Sequence, residues 1–352
     1  MPLLIVANIL PFMSLEFEGR KQETLLLSGV FALWHEGQIG LALLVLLLLF
    51  VIPIFALASA LALARGLRAG RPARRLAPLL RLHAFLRRWA MLEVHALAVL
   101  VAFVKLRDLA EVEPGAALGA LAALVLLLLL ADLRLEPALL RARLRTSDEA
   151  NLGTGCPDCG ELLPAGEVRD ARSCPGCGGG RPLPRRDALA RSAAWLVAAA
   201  AMYLPANLLP VMTVVHFGRE EPTTILSGVA RLYASGMWPI ALVVLTASVV
   251  VPLLKFLGLG HLLLLAARGR AGGRVHGRLY RLLDAIGRWS MVNVFVVALL
   301  AALVSLGNVA TIEPGSGASA FAAVVVFTML AAHAFDPRLL WSRPGPSHAQ
   351  RG

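Results

Sequence analysis

Asn207-Leu208-Leu209-Pro210-Val211-Met212 is followed by Leu226-Ser227-Gly228 and then by Pro252. About 199 residues earlier the chain reads Asn8-Ile9-Leu10-Pro11-Phe12-Met13, then Leu27-Ser28-Gly29, then Pro53. The echo continues at an offset of 200: Trp89-Ala90-Met91 with Trp289-Ser290-Met291, Glu113-Pro114-Gly115 with Glu313-Pro314-Gly315, and Glu136-Pro137 with Asp336-Pro337. One residue inserted between Pro252 and Trp289 accounts for the shift. Two copies of one unit predict a pseudosymmetric protein, and the differences between the copies then point to function.

The runs between these motifs are too apolar and too long for a soluble core. The 352-residue chain is 58% hydrophobic, and its mean hydropathy is +0.73. A membrane-crossing helix needs roughly 20 mostly apolar residues. Eight candidates follow: 1–13, 38–64, 89–107 and 116–133 in the first copy, and 192–215, 237–266, 289–309 and 318–335 in the second. Only the first is too short. The expected fold is an all-α polytopic membrane protein of two four-helix units repeated in parallel.

The net charge of +12 is distributed along this pattern. Residues 65–88 hold eight Arg and no acid, and residues 268–288 hold six Arg and one acid, Asp284. The alternate loops are neutral or acidic, as at Asp108, Glu111, Glu113, Glu220, Glu221 and Glu313. Arg-rich loops mark the cytosolic side. Both termini, both basic loops and residues 134–191 are therefore expected in the cytosol. This alternation reads as membrane topology and as a solvated cytosolic face, and no nucleic-acid partner is expected. Residues 1–13 lack the basic start and cleavage site of a signal peptide.

All four cysteines lie in the central segment: Cys156-Pro157-Asp158-Cys159 and Cys174-Pro175-Gly176-Cys177. Two C-x2-C turns can deliver four thiolates to one tetrahedral ion, and the Gly after each pair lets the turn close. One structural zinc in a closed ribbon is the expectation. A redox dithiol and an iron centre are the alternatives, and cytosolic disulfides are disfavoured. The expected domains are 1–140, a first membrane unit; 151–187, the ribbon; 188–342, a second membrane unit; and 343–352, a disordered tail.

Taken together, the Cys-Pro-x-Cys-Gly pairs, Asn207-x-x-Pro210-x-Met212, Leu226-Ser227-Gly228, Pro252-Leu253-Leu254-Lys255 and Trp289-Ser290-Met291 resemble the paraquat-inducible protein A family of bacterial inner-membrane proteins. The resemblance implies a zinc ribbon followed by four spans, twice over. It also implies a periplasmic partner with MCE domains that forms a tunnel, and movement of phospholipid or a similar lipid between the inner and outer membranes. The chain departs from the pattern in three places. The first ribbon has no counterpart and the first span is short, which predicts a late start codon or truncated gene, with true loss as the alternative. Glu93 and Asn293 stand where the family often has Asp. Lys255 has Ala56 as its counterpart in the first copy.

Only three of the 34 basic residues are Lys: Lys21, Lys105 and Lys255. Lys255 alone falls deep inside a span. An ammonium near the bilayer centre costs roughly 2.5–3.5 kcal/mol on insertion scales, so Lys255 must face protein, water or a bound headgroup. Pro252 frees the carbonyl of Ser248 from its helix bond, predicting a polar kink there. Lys255 and Ser248 become candidates for a lipid or proton pathway, with Glu93, Ser290, Asn293 and Thr328. The plainer readings are a Lys held by a carboxylate or carbonyls, and hydroxyls and amides that bond neighbouring helices. Trp89, Trp289, Asn207, Pro210 and Pro252 are expected to shape the bundle.

After Met13 and Met212 the pattern alternates polar and apolar, which predicts two β-hairpins on the periplasmic side. They suit docking of a periplasmic partner, or they only cap the bundle. Three function classes follow. The first is a lipid transporter feeding or emptying a periplasmic tunnel. The second is an anchor or scaffold for the tunnel protein. The third is a membrane enzyme such as a thiol oxidoreductase, which is disfavoured because the thiols form a closed set and no carboxylate pair shares a face. No enzyme activity is expected, and no Walker motif is present.

Overall fold

A computed structural model of the chain describes residues 10–11, 13–17, 20–25, 27–69, 73–90, 92–107, 111–134, 152–155, 162–164, 185–216, 219–269, 274–289, 291–303 and 310–335. The four cysteines, Ser290 and the tail 343–352 lie outside the described residues, as do the side chains of Asn293 and Trp289.

In the first half, strands β1 (Met13–Phe17) and β2 (Arg20–Thr24) lead into helices α1 (Ser28–His35) and α2 (Ile39–Leu46). A π-helical turn, Leu47–Val51, joins α2 to α3 (Ile52–Arg68). Then come α4 (Ala73–Trp89), α5 (Leu92–Arg107), strand β3 (Glu111–Pro114) and α6 (Ala116–Arg134). Strands β4 (Leu152–Gly155) and β5 (Leu162–Pro164) pair antiparallel. Their connection contains Cys156 and Cys159.

The second half runs α7 (Arg185–Leu208), β6 (Met212–His216), β7 (Arg219–Thr223), α8 (Ile225–Ala234) and α9 (Trp238–Leu245). A π turn at Thr246–Val250 follows, then α10 (Val251–Ala267), α11 (Arg274–Trp289), α12 (Val292–Leu303), β8 (Ala310–Pro314) and α13 (Ser316–Ala334).

Among the described residues, four helical stretches are long and apolar enough to cross a membrane: Ile39–Gly66, Arg186–Leu208, Ala241–Ala267 and Ser316–Ala334. The chain is a multi-pass membrane protein. Two of the long spans carry a π turn just before an internal proline, at Pro53 and at Pro252, whereas α7 stays α-helical through Pro205. Proline has no N–H to donate and its ring crowds the carbonyl four residues back, so the helix widens by one residue there. The polar kink expected from Pro252 is thus a π turn inside a continuous helix.

Several expectations shift. The span expected at 192–215 is a helix that starts at Arg185 and ends at Leu208, and the residues from Met212 form a strand instead. Each hairpin is extended by a third strand, giving sheet orders β2-β1-β3 and β7-β6-β8. The sequence pattern missed β3 and β8 because Glu-Pro-Gly reads as a turn. In the second sheet, β6 is central and antiparallel to both neighbours, with Met212 opposite Thr223 and Pro314. Leu-Ser-Gly proves to open a helix in each half. The basic loops are also helical: α4 and α11 carry most of their Arg residues on amphipathic helices.

Two compact units emerge, and neither is one sequence copy. One comprises residues 1–13, 46–93 and 114–183; the other comprises 14–45, 94–113 and 184–352. In the first unit, α3 packs along α4. In the second unit, α13 packs against α7, α10, α11 and α12. There α1, from the first copy, lies on α12, from the second. Gly29 makes that contact possible, since a Cβ at this position would sit 3.0 Å from the Ala298 carbonyl oxygen.

Candidate functional site

The motifs of the second copy meet at one end of α13. Gly315 N–H donates to Val211 O, and Gly317 N–H donates to Pro210 O, both at 2.9 Å. A Cβ on Gly317 would lie 2.5 Å from the Leu209 carbonyl oxygen and 2.7 Å from that of Pro210. Only glycine lets the two backbones approach this closely. Asn207 ties its amide back to Tyr203 O at 2.8 Å, closing the helix just before the break at Pro210. Thr224 and Ser227 form a reciprocal cap on α8, each satisfying the other's backbone N–H. The three signature motifs are therefore one junction between helix ends and the sheet.

Below this junction lies an open, mainly apolar pocket. Its walls include Met212, Ile225, Val294 and Phe321 from the second copy and Val101 from the first. Ser248, in the π turn, is a polar point in the wall. It is buried and donates its hydroxyl to Val244 O at 2.7 Å. The first-copy residue Gln38 also reaches this end of the unit, donating to Pro314 O at 3.4 Å and accepting from Ser319 Oγ.

Lys255 sits farther along the same helix, 3% exposed. Its Nζ donates to Gly287 O on α11 at 3.2 Å and to Thr328 Oγ1 on α13 at 3.0 Å. Thr328 in turn donates to Val325 O at 2.9 Å. Gly287 was not foreseen from the sequence, yet a Cβ there would lie 3.1 Å from Lys255 Cε and 3.3 Å from Nζ. The missing side chain is the space the lysine fills. On α13, Phe321 of the cavity and Thr328 are seven residues apart, about 10 Å along one face.

One turn beyond Thr328, two more neighbours bond α13. Ser192 Oγ donates to Ala331 O at 2.8 Å, and Tyr280 Oη donates to Ala332 O at 3.0 Å. Around them Leu259, Leu262, Leu283 and Phe335 close an apolar core. Ser192 and Tyr280 also carried no sequence signal, because a hydroxyl's partner is a backbone carbonyl on another helix.

The remaining candidates scatter. Ser248 lines the cavity, whereas Lys255 and Thr328 meet away from its walls. Seven residues, about 10 Å along the helix, separate Ser248 from Lys255, just as they separate Phe321 of the cavity wall from Thr328. Glu93 is in the first turn of α5, where a carboxylate complements the helix dipole. It belongs to the first compact unit. Asn293 occupies the first turn of α12. Trp89 and Trp289 end α4 and α11. His95 packs edge-on against Phe295 with centroids 5.3 Å apart. Among the described residues no group of His, Cys, Asp and Glu is arranged to hold a metal.

A family profile described as Paraquat-inducible protein A matches residues 1–145 and 189–344. The four cysteines lie between the two matched segments. The chain is 34% identical over 366 residues to the intermembrane transport protein PqiA of Escherichia coli strain K12, covering 99% of this chain and 85% of that protein. It is 32% identical over 259 residues to the lipophilic envelope-spanning tunnel protein A of the same strain, covering 71% of this chain and 59% of that protein. A probable intermembrane transport protein of Haemophilus influenzae is 37% identical over 171 residues, covering 48% of this chain and 41% of its own length. No solved structure matches.

Proposed function

Because the chain belongs to the paraquat-inducible protein A family, we propose that it is an inner-membrane component of a lipid transport system. It passes phospholipid or a similar lipid between the inner membrane and a periplasmic tunnel built from MCE domains. The names of the relatives, an intermembrane transport protein and an envelope-spanning tunnel protein, support a transport role. The alternation of basic and acidic loops supports an orientation with the termini, α4, α11 and the cysteine segment in the cytosol. The two sheets then lie on the periplasmic side, where the partner docks.

The observation that carries this reading is Lys255, buried between α10, α11 and α13 and about two helical turns from an apolar cavity. The cavity suits an acyl chain, since binding sites for such ligands are concave and mostly apolar with few polar groups. Lys255 couples the site to proton movement. When charged it donates to Gly287 O and Thr328. On losing its proton it keeps two N–H groups and gains a lone pair, so it can accept from Thr328 instead of donating to it, which reverses the bond between α10 and α13. The cysteine segment is a ribbon holding one structural zinc, consistent with the β4–β5 pair that brackets Cys156 and Cys159.

A second reading has its own observation. Lys255 has protein partners on two helices, as a purely structural lock would. In that case the protein is an anchor for the tunnel protein. Co-purification with photocrosslinkable phospholipid, on wild type and Lys255→Ala, separates the two. Loss of lipid transfer with the partner still bound supports transport, whereas unchanged transfer supports the anchor.

A further inference from the structure

His95 and Phe295 occupy the same position in the two copies, and their rings meet edge-on. As in a twofold dimer, a position that touches its own counterpart marks the axis, here between α5 and α12. A contact on one side of this axis has an equivalent on the other. On one side α1 packs on α12, where a Cβ at Gly29 would lie 3.0 Å from Ala298 O and 3.8 Å from Ala298 Cβ. The equivalent contact sets Gly228 of α8 on Ala98 of α5, and it is not made. Among the described residues, a Cβ at Gly228 would have only Thr223 Cγ2 within 4 Å, at 3.4 Å. Gly29 and Leu33 are buried, whereas their counterparts Gly228 and Leu232 are half-buried. Gly228 and Leu232 line the apolar pocket instead, with Ile225 on the same face of α8 and Val101 of α5. The pocket thus occupies the place that the equivalent contact closes on the other side of the axis.

We propose that α8 is the gate of this pocket: it closes by docking Gly228 on Ala98, as Gly29 is docked on Ala298, and closure expels the acyl chain that the open pocket holds. The acyl chain rests on the transport reading above, and the docking does not. The residues suit the movement. Gly228 has no side chain to obstruct the approach, and Ala98 is as small as Ala298 and likewise buried. What differs between the two helices is their fastening. Just beyond α1, Gln38 donates to Pro314 O and accepts from Ser319 Oγ, which locks α1 in place. The counterpart of Gln38 is Met237, which has no amide to make either bond. Instead, α8 is tied to β7 by Arg231 and Glu221, 2.8 Å apart and more than half exposed. Their counterparts in the first copy are Ala32 and Gln22. An exposed ion pair of this kind is weak and opens readily. The two copies accordingly divide the work between a fixed helix, α1, and a moving one, α8. A chain that fits only the open form holds the gate open, and docking of Gly228 competes with it.

The test uses the full chain in detergent micelles with phosphatidylglycerol that carries a photoreactive acyl chain. On closure, Ala98→Cys with Gly228→Cys reproduces the 3.8 Å separation of Cβ positions at Gly29 and Ala298, which suits a disulfide. Oxidation is expected to link this pair, identified by peptide mass at residues 98 and 228. Gly29→Cys with Ala298→Cys is the closed reference that fixes the full extent of linking. Ala98→Cys with Leu226→Cys, two residues away and so on the opposite side of α8, stays unlinked. Adding Glu221→Gln speeds the 98–228 link by about threefold, and an unchanged rate overturns the role of the ion pair. In linked protein, crosslinking of the lipid to peptides of α8 and α13 falls by about tenfold, and a reductant restores it. A 98–228 link no faster than the 98–226 link overturns the proposal, and so does unchanged lipid crosslinking in linked protein. If the 98–228 link forms but the wild type neither crosslinks nor transfers lipid, the transport reading falls and the docking of α8 stands.

Discussion

Lys255 Nζ and Thr328 Oγ1 are 3.0 Å apart, joining α10 to α13 across a buried interface. They are 73 residues apart in the chain. If the pair is part of a transport cycle, Lys255→Met removes the charge, keeps most of the volume and abolishes transport in a complementation assay. Because a buried ammonium is costly, the variant should stay folded with no large loss of thermal stability. Wild-type complementation by folded Lys255→Met would remove Lys255 from the mechanism.

Gly287 tests the same contact from the other side. Gly287→Ala introduces a Cβ 3.1 Å from Lys255 Cε, so the lysine must shift by a few tenths of an ångström. Transport is expected to fall severalfold while the helix gains up to about 1 kcal/mol in propensity. Gly119→Ala, where nothing lies within 4 Å, gains the same propensity and leaves transport alone. Equal behaviour of the two variants in paired assays of melting and transport would show that Lys255 tolerates displacement.

At the sheet junction the clash is with backbone, which cannot give way. A Cβ at Gly315 would approach the Pro210 carbonyl oxygen to 2.2 Å. Gly315→Ala and Gly317→Ala are expected to cost at least about 3 kcal/mol, the upper range for overpacking. The readout is yield of monodisperse protein and protease sensitivity after Leu208. Normal yield and resistance would mean the junction is not rigid.

Glu36 gives a pH dependence with a definite sign. Its pKa is raised, first by burial and then by the negative charge of Glu313, with His35 opposing. The folded state therefore binds a proton more readily than the unfolded one. Stability falls as pH rises from the ordinary carboxylate range through the raised value. Glu36→Gln should raise the melting temperature at pH 7 and have no such effect at pH 4. A lower melting temperature at pH 7 would show that Glu36 makes a favourable ionic contact instead.

Metal content tests the cysteine segment. Elemental analysis of purified chain is expected to give one zinc, with Cys156→Ser and Cys174→Ser each losing it. Iron in place of zinc, or metal retained in both variants, would overturn the ribbon.

Much of this was legible in the residues. Of the eight apolar runs expected to span, four coincide with helices long and apolar enough to cross a membrane, because such helices must satisfy their backbone internally and present apolar side chains outward. Lys255 stood out for a similar reason, since a lone ammonium in a span demands a partner. The span ending near 215 was misjudged because apolar Val211, Val214 and Val215 fit a strand as well as a helix. Pro210 and the glycines at 315 and 317 decide for the strand, by tying the chain back to the start of α13.

The sequence by itself determined the membrane character, the doubled motif order, the cysteine spacing and the singular Lys255, since each depends on local composition or on periodicity along one chain. Only the tertiary structure decided which helices face which. It put α1 of the first copy on α12 of the second, turned three separate motifs into one junction, and set Gly287 and Thr328 against Lys255. The reason is physical. Side-chain period tells which face of a helix is apolar, but inside a membrane every face is apolar. The choice of neighbour then rests on close backbone approach at glycines and on hydroxyl-to-carbonyl bonds between distant residues, and neither leaves a pattern along the chain.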